Sequence, residues 1–365
     1  MSGGMDLKNE VLNTGVCALC GACLDWCPYI KNIEDHLVLS FDCNVPQGRC
    51  YSLCPRTFTD WAAVNERYLA DTPRSVEIGA YFKVYKVQAK KSIEGQQNGG
   101  TVTHLLKILL EEGLVERVLL TSSDDAISPT ALLTKDVAEL EKSTGSRFLA
   151  APSFRKLITA QEEGVESLGV VGRPCQIQAV RKWDFNKRPE RPAIDLICIG
   201  LFCMWSLNWD FKDFLAARFP NDEVVKIVML EDGIELVTKS GSSHISAEEI
   251  RPYTRPAGCN YCLDMTAELA DISVGAFEID PGWNTVVIRS SKGQDLFDKA
   301  ISRGYLVVED YPEGELNRLK NASMGKKIRN FKNILAAEAR GIKPFIDLDS
   351  AEYTQIRNLA EGAVK

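Results

Sequence analysis

Cysteine is the residue type in this chain with the clearest capacity for chemistry. The sequence holds 12 Cys but only 3 His, and seven of the cysteines fall between Cys17 and Cys54. The polar stretch Met1 to Glu10 is not typical of an export signal. In a reducing cytoplasm, dense cysteines indicate metal ligands rather than disulfides. Ligation by thiolates alone favours iron–sulfur clusters or a four-cysteine zinc site.

The first group of thiols has the spacing found in bacterial ferredoxins. A C-x2-C-x2-C-x3-C run followed directly by proline consists of Cys17, Cys20, Cys23, Cys27 and Pro28. In such runs three thiolates bind one cubane and the fourth binds the other cluster. The spacing therefore predicts iron–sulfur ligation, with structural zinc as the alternative.

A second, incomplete run follows the first. It ends in Cys50-Tyr51-Ser52-Leu53-Cys54-Pro55, and Gln47 stands where a regular run would have its middle cysteine. By the exchange pattern of two-cluster ferredoxins, one cluster is predicted to take Cys17, Cys20, Cys23 and Cys54. The other would take Cys27, Cys43 and Cys50 together with a fourth ligand that the sequence does not identify. A single cluster beside buried free thiols is the alternative.

Five cysteines lie further along the chain. Cys259 and Cys262 form a C-x-x-C, Cys175 opens a predicted helix, and Cys198 and Cys203 bracket the end of a predicted strand. We expect a third site built from Cys175, Cys203, Cys259 and Cys262, with Cys198 left unassigned. A redox-active dithiol at Cys259 and Cys262, or a zinc site, is the alternative.

Two glycine-containing turns follow predicted strands and open predicted helices. In the turn at residues 96–101, Gly99 and Gly100 would let backbone N–H groups approach an anion at a helix start. This turn has neither the Walker A pattern nor a complete dinucleotide fingerprint. The turn at residues 172–175 is placed in the same way, and an ordinary strand–helix turn explains it equally well.

The predicted strands and helices that must position these cysteines and glycine turns alternate from about residue 80. Predicted strands are 81–89, 115–121, 167–171, 193–200, 224–230, 234–239, 272–274 and 285–289, with a hairpin turn at Glu231-Asp232-Gly233. Predicted helices are 101–112, 175–182, 208–218 and 293–302. The alternation predicts an α/β fold, a mixed sheet with flanking helices, preceded by a small ferredoxin-like iron–sulfur domain. The expected boundaries are 1–60 for that domain, 80–345 for the α/β domain and 346–365 for a C-terminal tail.

Composition narrows the class of protein. The 365 residues are 45% hydrophobic and 25% charged, which is typical of a soluble globular chain. A net charge of −7 argues against a general nucleic-acid binder. The longest apolar stretch, at residues 196–205, is shorter than the roughly 20 residues that a transmembrane helix needs. We therefore expect a cytoplasmic protein.

Seven segments in a fixed order resemble the coenzyme F420 hydrogenase/dehydrogenase beta-subunit family. They are Gly48–Arg56, Asn98–Thr103, Gly172–Arg181, Ile199–Cys203, Cys259–Asp264, Ala270–Gly275 and Gly282–Arg289. The resemblance extends from Cys17 to about Leu306. Gln47 departs from members that carry a full second ferredoxin run, so the resemblance supplies no fourth cysteine for the second N-terminal cluster.

The resemblance implies a flavin-dependent oxidoreductase subunit. It implies FAD and at least one [4Fe–4S] cluster, and the cysteines above would provide for two to three. Electrons would come from the catalytic subunit of a partner formate dehydrogenase or hydrogenase and reach coenzyme F420, the substrate, as hydride from FAD. The residues expected to contact FAD are Asn98, Gly99, Gly100, Thr101, Thr103, Ser273, Gly275, Trp283, Asn284 and Thr285. Arg289 and the pair Lys326-Lys327 are further candidates for the acidic coenzyme tail, although for the two lysines we expect solvated surface charge instead.

Several alternatives stay open at this point. The chain would be a flavin-independent, ferredoxin-like electron carrier if only the N-terminal thiols were functional. It would be a flavin and iron–sulfur oxidoreductase with another acceptor if a nicotinamide, a ferredoxin or an organic molecule replaced coenzyme F420. A third alternative is that the catalytic partner belongs to a larger complex of the heterodisulfide-reductase type. The sequence assigns no catalytic side chain and does not choose between formate and hydrogen.

Overall fold

A computed structural model describes residues 3–123, 125, 127–187, 191–230, 232–254 and 256–362. The parts of the predictions that concern Met1, Ser2, Glu231 and residues 363–365 lie outside these described residues. The strands are β1 Ile30–Ile33, β2 His36–Leu39, β3 Arg74–Ser75, β4 Gly79–Ala80, β5 Lys83–Ala89, β6 Arg117–Ser123, β7 Pro129–Thr134, β8 Ser167–Gly172, β9 Asp195–Leu201, β10 Val224–Met229, β11 Gly233–Thr238, β12 Ser242–Ser246, β13 Ile272–Ala276, β14 Asn284–Ile288 and β15 Leu306–Asp310.

The α-helices alternate with these strands over most of the chain. They are α1 Gly4–Leu7, α2 Arg49–Leu53, α3 Trp61–Leu69, α4 Thr101–Glu111, α5 Val137–Lys142, α6 Lys156–Glu162, α7 Pro174–Phe185, α8 Asp210–Arg218, α9 Ala247–Ile250, α10 Pro256–Cys259, α11 Ser291–Ser302, α12 Glu313–Glu338 and α13 Ala351–Gly362. Short polar side chains fix several helix starts, since Asp60 accepts from Ala63 N at 3.0 Å and Ser290 from Gly293 N at 3.0 Å.

The largest sheet is mixed and has eight strands in the order β15-β5-β14-β13-β9-β8-β6-β7. Its central strands β13, β9, β8 and β6 are parallel. Antiparallel pairs continue the sheet on both sides, through β7 on one side and through β14, β5 and β15 on the other. The predicted α/β fold with a mixed sheet and flanking helices is therefore confirmed.

Alternate residues of the central strands face two separate apolar layers. Leu119 and Val170 pack with α3, α6, α7, α12 and α13 on one side of the sheet. Val118 and Val171 pack with α4 and α11 on the other side. This period of two explains why the buried strands are almost continuously apolar in sequence. A smaller antiparallel sheet, β10-β11-β12, packs with α8 in a cluster of its own.

The N-terminal segment packs directly on the sheet domain. It contains α1, a π-helical turn at Lys8–Leu12, the antiparallel β1–β2 hairpin and α2. Phe154 N donates to Cys20 O at 3.1 Å, and a Cβ at Gly21 would lie 2.2 Å from Pro152 O. Only glycine permits this approach, and Gly21 has a φ of +89°. A ferredoxin-like fold for this segment stays a prediction.

Two helices complete the C-terminal part of the chain. Helix α12 is 26 residues long and crosses the layer of helices that contains α7. The segment 346–365, which the sequence sets apart as a tail, contains α13, whose Ile356 and Ala360 are buried in the same layer.

Candidate functional site

The four thiols assigned to the first site border one small cavity. Cys17, Cys20, Cys23 and Cys54, which we call the first thiol set, line it together with apolar side chains of the N-terminal segment such as Leu7. Leu19 and Gly21 both have positive φ, at 49° and 89°. Because Leu19 is also fully buried, the loop holds a costly backbone conformation between its cysteines.

Burial and mutual proximity set the protonation of these thiols. Burial raises the pKa of Cys23 well above its usual value, and the neighbouring thiols of Cys20 and Cys54 raise it further. The pKa of Cys54 is raised to about 11 by burial and by Cys17, against the lowering effect of Lys182. Like groups that raise one another's pKa gain from a shared cation, since metal ligation stabilises the thiolate.

The second thiol set consists of Cys27, Cys43 and Cys50, whose thiols are close enough to affect one another's pKa. Burial raises the pKa of Cys50 to about 11, and the thiols of Cys27 and Cys43 add to the effect. Two glycines allow the chain to pass close to the sulfur atoms: a Cβ at Gly4 would lie 3.1 Å from Cys43 Sγ, and one at Gly48 would lie 3.0 Å from Cys50 Sγ.

The third thiol set consists of Cys175, Cys203, Cys259 and Cys262. Burial raises the pKa of Cys203 to about 12, with Cys259 and Cys175 contributing in the same direction. Cys262 behaves differently. Burial opposes its ionisation, yet Lys326 and Arg56 lower the pKa of Cys262 below its usual value.

Three cations surround the third thiol set. Lys326 is 1% exposed and donates to Cys203 O at 2.6 Å and to Asp264 O at 2.8 Å. Arg56 is 3% exposed and donates to Gly258 O at 3.3 Å. Arg173 lies near enough to Cys175, Cys203 and Cys259 for their thiols to raise its pKa against the effect of burial. A polyanionic group held by these cysteines would find compensating charge on several sides.

Helix α12 holds the C-x-x-C loop in place. Asn330 Nδ2 donates to Cys259 O at 3.0 Å and to Cys262 O at 2.7 Å. Lys327, 6% exposed, pairs with Glu268 at 2.6 Å. The expectation of surface charge for Lys326 and Lys327 is therefore wrong, because both ammonium groups are buried against the third thiol set and its supporting loop.

The three sets lie next to one another in the order second, first, third. Cys50 of the second set and Cys23 of the first are close enough for their thiols to interact. Cys20 and Cys175 interact in the same way between the first and third sets. A Cβ at Gly258 would lie 2.2 Å from Cys17 O, so the two loops are in backbone contact. Cys198 is separate: the pKa of this buried thiol is raised to about 12 by burial, and its charged neighbours are Arg181 and Asp271.

No tight coordination shell is present in the chain as described. Across the described residues, no three or more His, Cys, Asp or Glu side chains are grouped so that they could hold a metal ion. The thiol sets are therefore defined by shared surroundings and by the cavity at the first set. Among the described helices, none is both long and apolar enough to cross a membrane.

The expected FAD residues lie mainly around the turn that precedes α4. Thr101 N donates to Asn284 Oδ1 at 3.3 Å, and Asn284 Nδ2 donates to Gly275 O at 3.1 Å. The structure therefore brings the α4 turn, the end of β13 and the start of β14 together. Thr101 is 1% exposed, and its Oγ1 has no hydrogen-bond partner among the residues that the structure describes. An orphaned hydroxyl at a helix N-terminus is a fitting donor to an anionic ligand.

Contacts within the chain explain the glycines of this region. A Cβ at Gly99 would lie 2.6 Å from Asn284 Oδ1, and one at Gly100 would lie 2.5 Å from Gln96 Oε1. Gly100 also has a φ of +70°. A Cβ at Gly275 would lie 2.1 Å from the ring of Phe202, the residue before Cys203. Gly275 therefore accommodates Phe202 and places the third thiol set beside this end of the sheet.

The other expected FAD residues differ in their surroundings. Ser273 is fully buried, donates to Ala267 O at 3.1 Å and accepts from Arg289 Nε at 2.7 Å. Thr285 Oγ1 lies 3.1 Å from the hydroxyl of Tyr311. The remaining three, Asn98, Thr103 and Trp283, are half-buried. Lys86 Nζ lies 4.2 Å from the Trp283 ring centroid, so an ammonium group covers one face of the indole.

Arg289 does not reach a coenzyme tail, because it is fully buried and its donors are used inside the protein. It donates to Ile78 O and to Ala80 O, both at 2.7 Å, and to Thr266 Oγ1 at 2.9 Å. Burial lowers the pKa of Arg289 to about 10. Its role is to tie β4 to the end of β14.

The turn at Gly172–Cys175 is an ordinary helix start. Arg173 N donates to Gln176 Oε1 at 2.9 Å, which satisfies the start of α7 from within the chain. A Cβ at Gly172 would lie 2.7 Å from the ring of Phe154. Arg173 and Cys175 lie here beside the other thiols of the third set, and the anion-binding interpretation of the backbone is not needed.

Sequence reasoning missed the cations of the third thiol set. Arg56 and Arg173 each lie two residues from a cysteine, so their spacing was a usable signal. Lys326 and Asn330 lie four residues apart on α12, within a buried polar stripe that includes Ser323. Helical spacing of buried polar residues was the signal that could have found this stripe.

Comparison with protein families places these features in a known context. The family model for the N-terminal part of the coenzyme F420 hydrogenase/dehydrogenase beta subunit matches residues 84–157. The family model for the C-terminal part of the same beta subunit matches residues 165–314. Together they cover most of the sheet domain.

Individual relatives extend the comparison. A coenzyme F420 hydrogenase subunit beta from Methanothermobacter thermautotrophicus is 30% identical over 258 residues, covering 67% of this chain and 90% of the relative. A coenzyme F420-dependent sulfite reductase from Methanocaldococcus jannaschii is 30% identical over 305 residues, covering 79% of this chain. The chain spans only about half of that reductase, 46% of its length.

A solved structure has the same fold. It belongs to the xenon-derivatised F420-reducing [NiFe] hydrogenase complex from Methanosarcina barkeri. The match has a TM-score of 0.68 at 24% identity and covers 75% of this chain and 98% of the other.

Proposed function

Because the chain belongs to the coenzyme F420 hydrogenase/dehydrogenase beta-subunit family, we propose that it is a cytoplasmic electron-transfer subunit that connects a catalytic partner with coenzyme F420. It would hold iron–sulfur clusters on its three thiol sets and FAD at the α4 turn. The observation that carries this proposal is the succession of buried thiol sets from the N-terminal segment to the sheet edge.

The order of the three thiol sets suggests a direction for electron transfer through the chain. The second thiol set is next to the first, and the first is next to the third. Phe202 follows β9 and packs on Gly275, while Cys203 N donates to Met265 O at 2.8 Å. The third set therefore adjoins the sheet edge at which Asn284 and the α4 turn meet. A partner that supplies electrons would dock on the N-terminal segment.

The thiol sets fit iron–sulfur clusters by the chemistry of their donors. The first and third sets each offer four thiols and no imidazole, as [4Fe–4S] ligation requires. Arg56, Arg173 and Lys326 supply positive charge around the third set. The second set offers three cysteines, and its fourth ligand stays unassigned.

The α4 turn fits the phosphate part of FAD. Its fitting features are the orphaned Thr101 Oγ1 and the start of an eleven-residue helix, whose first N–H groups lack intrahelical partners. Asn284 holds the turn against the sheet, and Trp283 is the half-buried aromatic residue beside it. Bound flavin would convert single electrons into the hydride that a deazaflavin accepts.

Membership of the family does not specify which reaction the catalytic partner carries out. Relatives named for hydrogenase and for sulfite reductase are both similar to this chain, and formate dehydrogenase stays a third candidate. A second candidate function is a flavin-free electron carrier, which the N-terminal thiol sets alone would support. A different electron acceptor in place of coenzyme F420 is the remaining alternative.

Replacing Thr101 by valine tests the flavin site. Thr101→Val keeps the volume of the side chain and removes the orphaned hydroxyl, so it should lower the FAD-to-protein ratio while iron content stays unchanged. Coenzyme F420 reduction should fall in proportion to FAD. Gly100→Val is the less informative variant, because φ of +70° and the contact with Gln96 would strain the fold directly.

Thr159→Val, on α6, is the matched control and should retain FAD and activity. The absorption spectrum of anaerobically purified protein gives flavin and iron–sulfur content together. The proposal fails if the purified wild-type chain binds no flavin, or if Thr101→Val retains full FAD and normal turnover.

A further inference from the structure

A cavity of about 410 Å³ lies between the N-terminal segment and α7, away from the α4 turn. The N-terminal segment contributes Trp26 and Arg49 to its lining, and α6 and α7 contribute Gln161 and Trp183. This volume is within the range of roughly 300–1,000 Å³ that small-molecule sites occupy. The proposed electron-transfer function does not use this cavity.

Two polar groups of the lining are buried and have no hydrogen-bond partner within the described part of the chain. They are Oε1 of Gln161, a residue that is 8% exposed, and Nε1 of Trp26. An unpartnered buried polar atom destabilises the protein, and a ligand that bonds to it removes this penalty. A ligand with both a hydrogen-bond donor and an acceptor would satisfy the amide and the indole together.

The charge of the lining is one-sided. Arg49, Lys187 and Arg191 border the cavity, and no carboxylate does so among its described lining residues. This is notable in a chain whose net charge is −7. Lys187 pairs with the carboxylate of Asp184, which is not in the lining, at 3.2 Å. A lining with cationic side chains favours an anionic ligand.

The aromatic residues add a preference for flat ligands. Arg49 lies 4.6 Å from the centroid of the Trp26 ring, which fixes the indole and places a guanidinium beside it. Trp183 is 4% exposed and is held within α7. Rigid indoles in a lining contact planar rings at low entropic cost.

We propose that this cavity binds a small ligand in which a planar aromatic ring is joined to an anionic group, as in a nucleoside monophosphate. The ring packs on Trp26 and Trp183, and its polar edge bonds to Gln161. The anion faces Lys187 and Arg191. Because Trp26 precedes Cys27 and Arg49 precedes Cys50, the bound ligand lies directly beside the second thiol set.

Binding is measured by anaerobic isothermal titration of the purified protein, with its own cofactors bound, using AMP, adenosine and inorganic phosphate as separate probes. AMP should bind with a Kd below about 1 mM, and the two fragments should bind at least roughly tenfold more weakly. If adenosine or phosphate binds with the same affinity as AMP, the proposal that the cavity requires a ring and an anionic group in one ligand is overturned.

Two variants locate the bound AMP. Gln161→Leu and Lys187→Gln should each weaken AMP binding by roughly three- to tenfold, the effect of one lost hydrogen bond or charge. Their matched controls, Gln355→Leu on α13 and Lys142→Gln on α5, should leave the affinity unchanged.

FAD content distinguishes this proposal from the flavin site. Thr101→Val should leave AMP affinity unchanged, whether or not it affects the flavin. If AMP binding is lost in Thr101→Val and retained in Gln161→Leu, AMP occupies the α4 turn and the cavity proposal is wrong. The cavity proposal is also wrong if the wild-type protein does not bind AMP.

Discussion

The first and third thiol sets are both buried, yet the surroundings of the first are mainly apolar and those of the third are strongly charged. Apolar side chains such as Leu7, Val11 and Leu37 border the cavity of the first set. The third set lies among Arg56, Arg173 and Lys326 and a network of buried carboxylates. The comparison shows how one chain can give similar ligand sets different electrostatic environments.

This difference bears on electron flow. A [4Fe–4S] cluster with four thiolates is anionic and gains negative charge on reduction, so nearby cations favour its reduced state. The first set has mainly apolar surroundings, with Lys182 beside Cys54, and these favour the reduced state less. We expect the third cluster to have the higher reduction potential, which would draw electrons from the N-terminal segment toward the sheet edge.

The largest expected effect comes from removing a ligand of the first set. Cys20→Ser should remove one cubane, about four of the 8–12 Fe per chain expected for two to three clusters. Electron transfer from the partner should be lost, since the first set connects the other two. FAD binding should survive, because Thr101 and Asn284 lie in the sheet domain. Iron and acid-labile sulfide assays, with FAD absorption, measure these changes.

Cys198→Ser is the matched control for that experiment. Cys198 is also fully buried, but its charged neighbours are Arg181 and Asp271. Its iron content should equal that of the wild type. Full partner-driven activity in Cys20→Ser would exclude the relay, and stoichiometric zinc with little iron would exclude iron–sulfur ligation.

Removing a cation from the third set should have a smaller effect. Lys326→Gln retains a donor toward Cys203 O and deletes the charge. A unit charge at about 6 Å, with an effective dielectric constant of about 20, corresponds to a shift on the order of 100 mV. The potential of the third cluster should fall by about that amount, as measured by redox titration with electron paramagnetic resonance.

Lys182→Gln provides the comparison at the first set. Lys182 Nζ donates to Cys54 O at 2.8 Å and to Thr57 Oγ1 at 2.7 Å. Its removal should shift the first cluster and leave the third unchanged. If Lys326→Gln and Lys182→Gln shift the same cluster, the two sets are not electrostatically distinct.

The proximity of some thiols could be predicted from sequence, because the ferredoxin pattern has strict spacing, while metal ligation by them stays a prediction. The ferredoxin run placed Cys54 with Cys17, and the structure puts both at one cavity. The buried strands were also visible as apolar runs, as for β8 and β9. These features depend on local pattern or on a spacing rule.

Features that depend on tertiary packing were not predictable in this way. The buried face of α12 includes Lys326, Lys327 and Asn330, so apolar periodicity does not reveal it. Arg289 is charged in sequence and fully buried in the structure, because backbone carbonyls from distant segments accept its protons. The cavity at Trp26 joins elements far apart in the chain, and no local pattern encodes it.

The smallest expected effect is a pH dependence confined to the charged surroundings of the third set. Burial raises the pKa of Glu268 to about 7, although Lys327 opposes the shift. Glu268 N donates to Asp264 Oδ2 at 2.9 Å, and Lys326 donates to Asp264 O at 2.8 Å, so the Glu268 backbone is joined to the network behind Cys262.

Between the ordinary carboxyl pKa and about 7, the folded state binds the Glu268 proton and the unfolded state does not. The stability that this proton contributes is therefore lost as the pH rises through this window, by about 1 kcal/mol between about pH 6 and about pH 8. Glu268→Gln should abolish this decline in the free energy of unfolding, measured by anaerobic denaturant titration at both pH values. Glu338→Gln, at an exposed position of α12, should retain it. An unchanged pH dependence in Glu268→Gln would show that this carboxyl does not titrate in the window, and the electrostatic contrast between the two sets would then rest on the three cations alone.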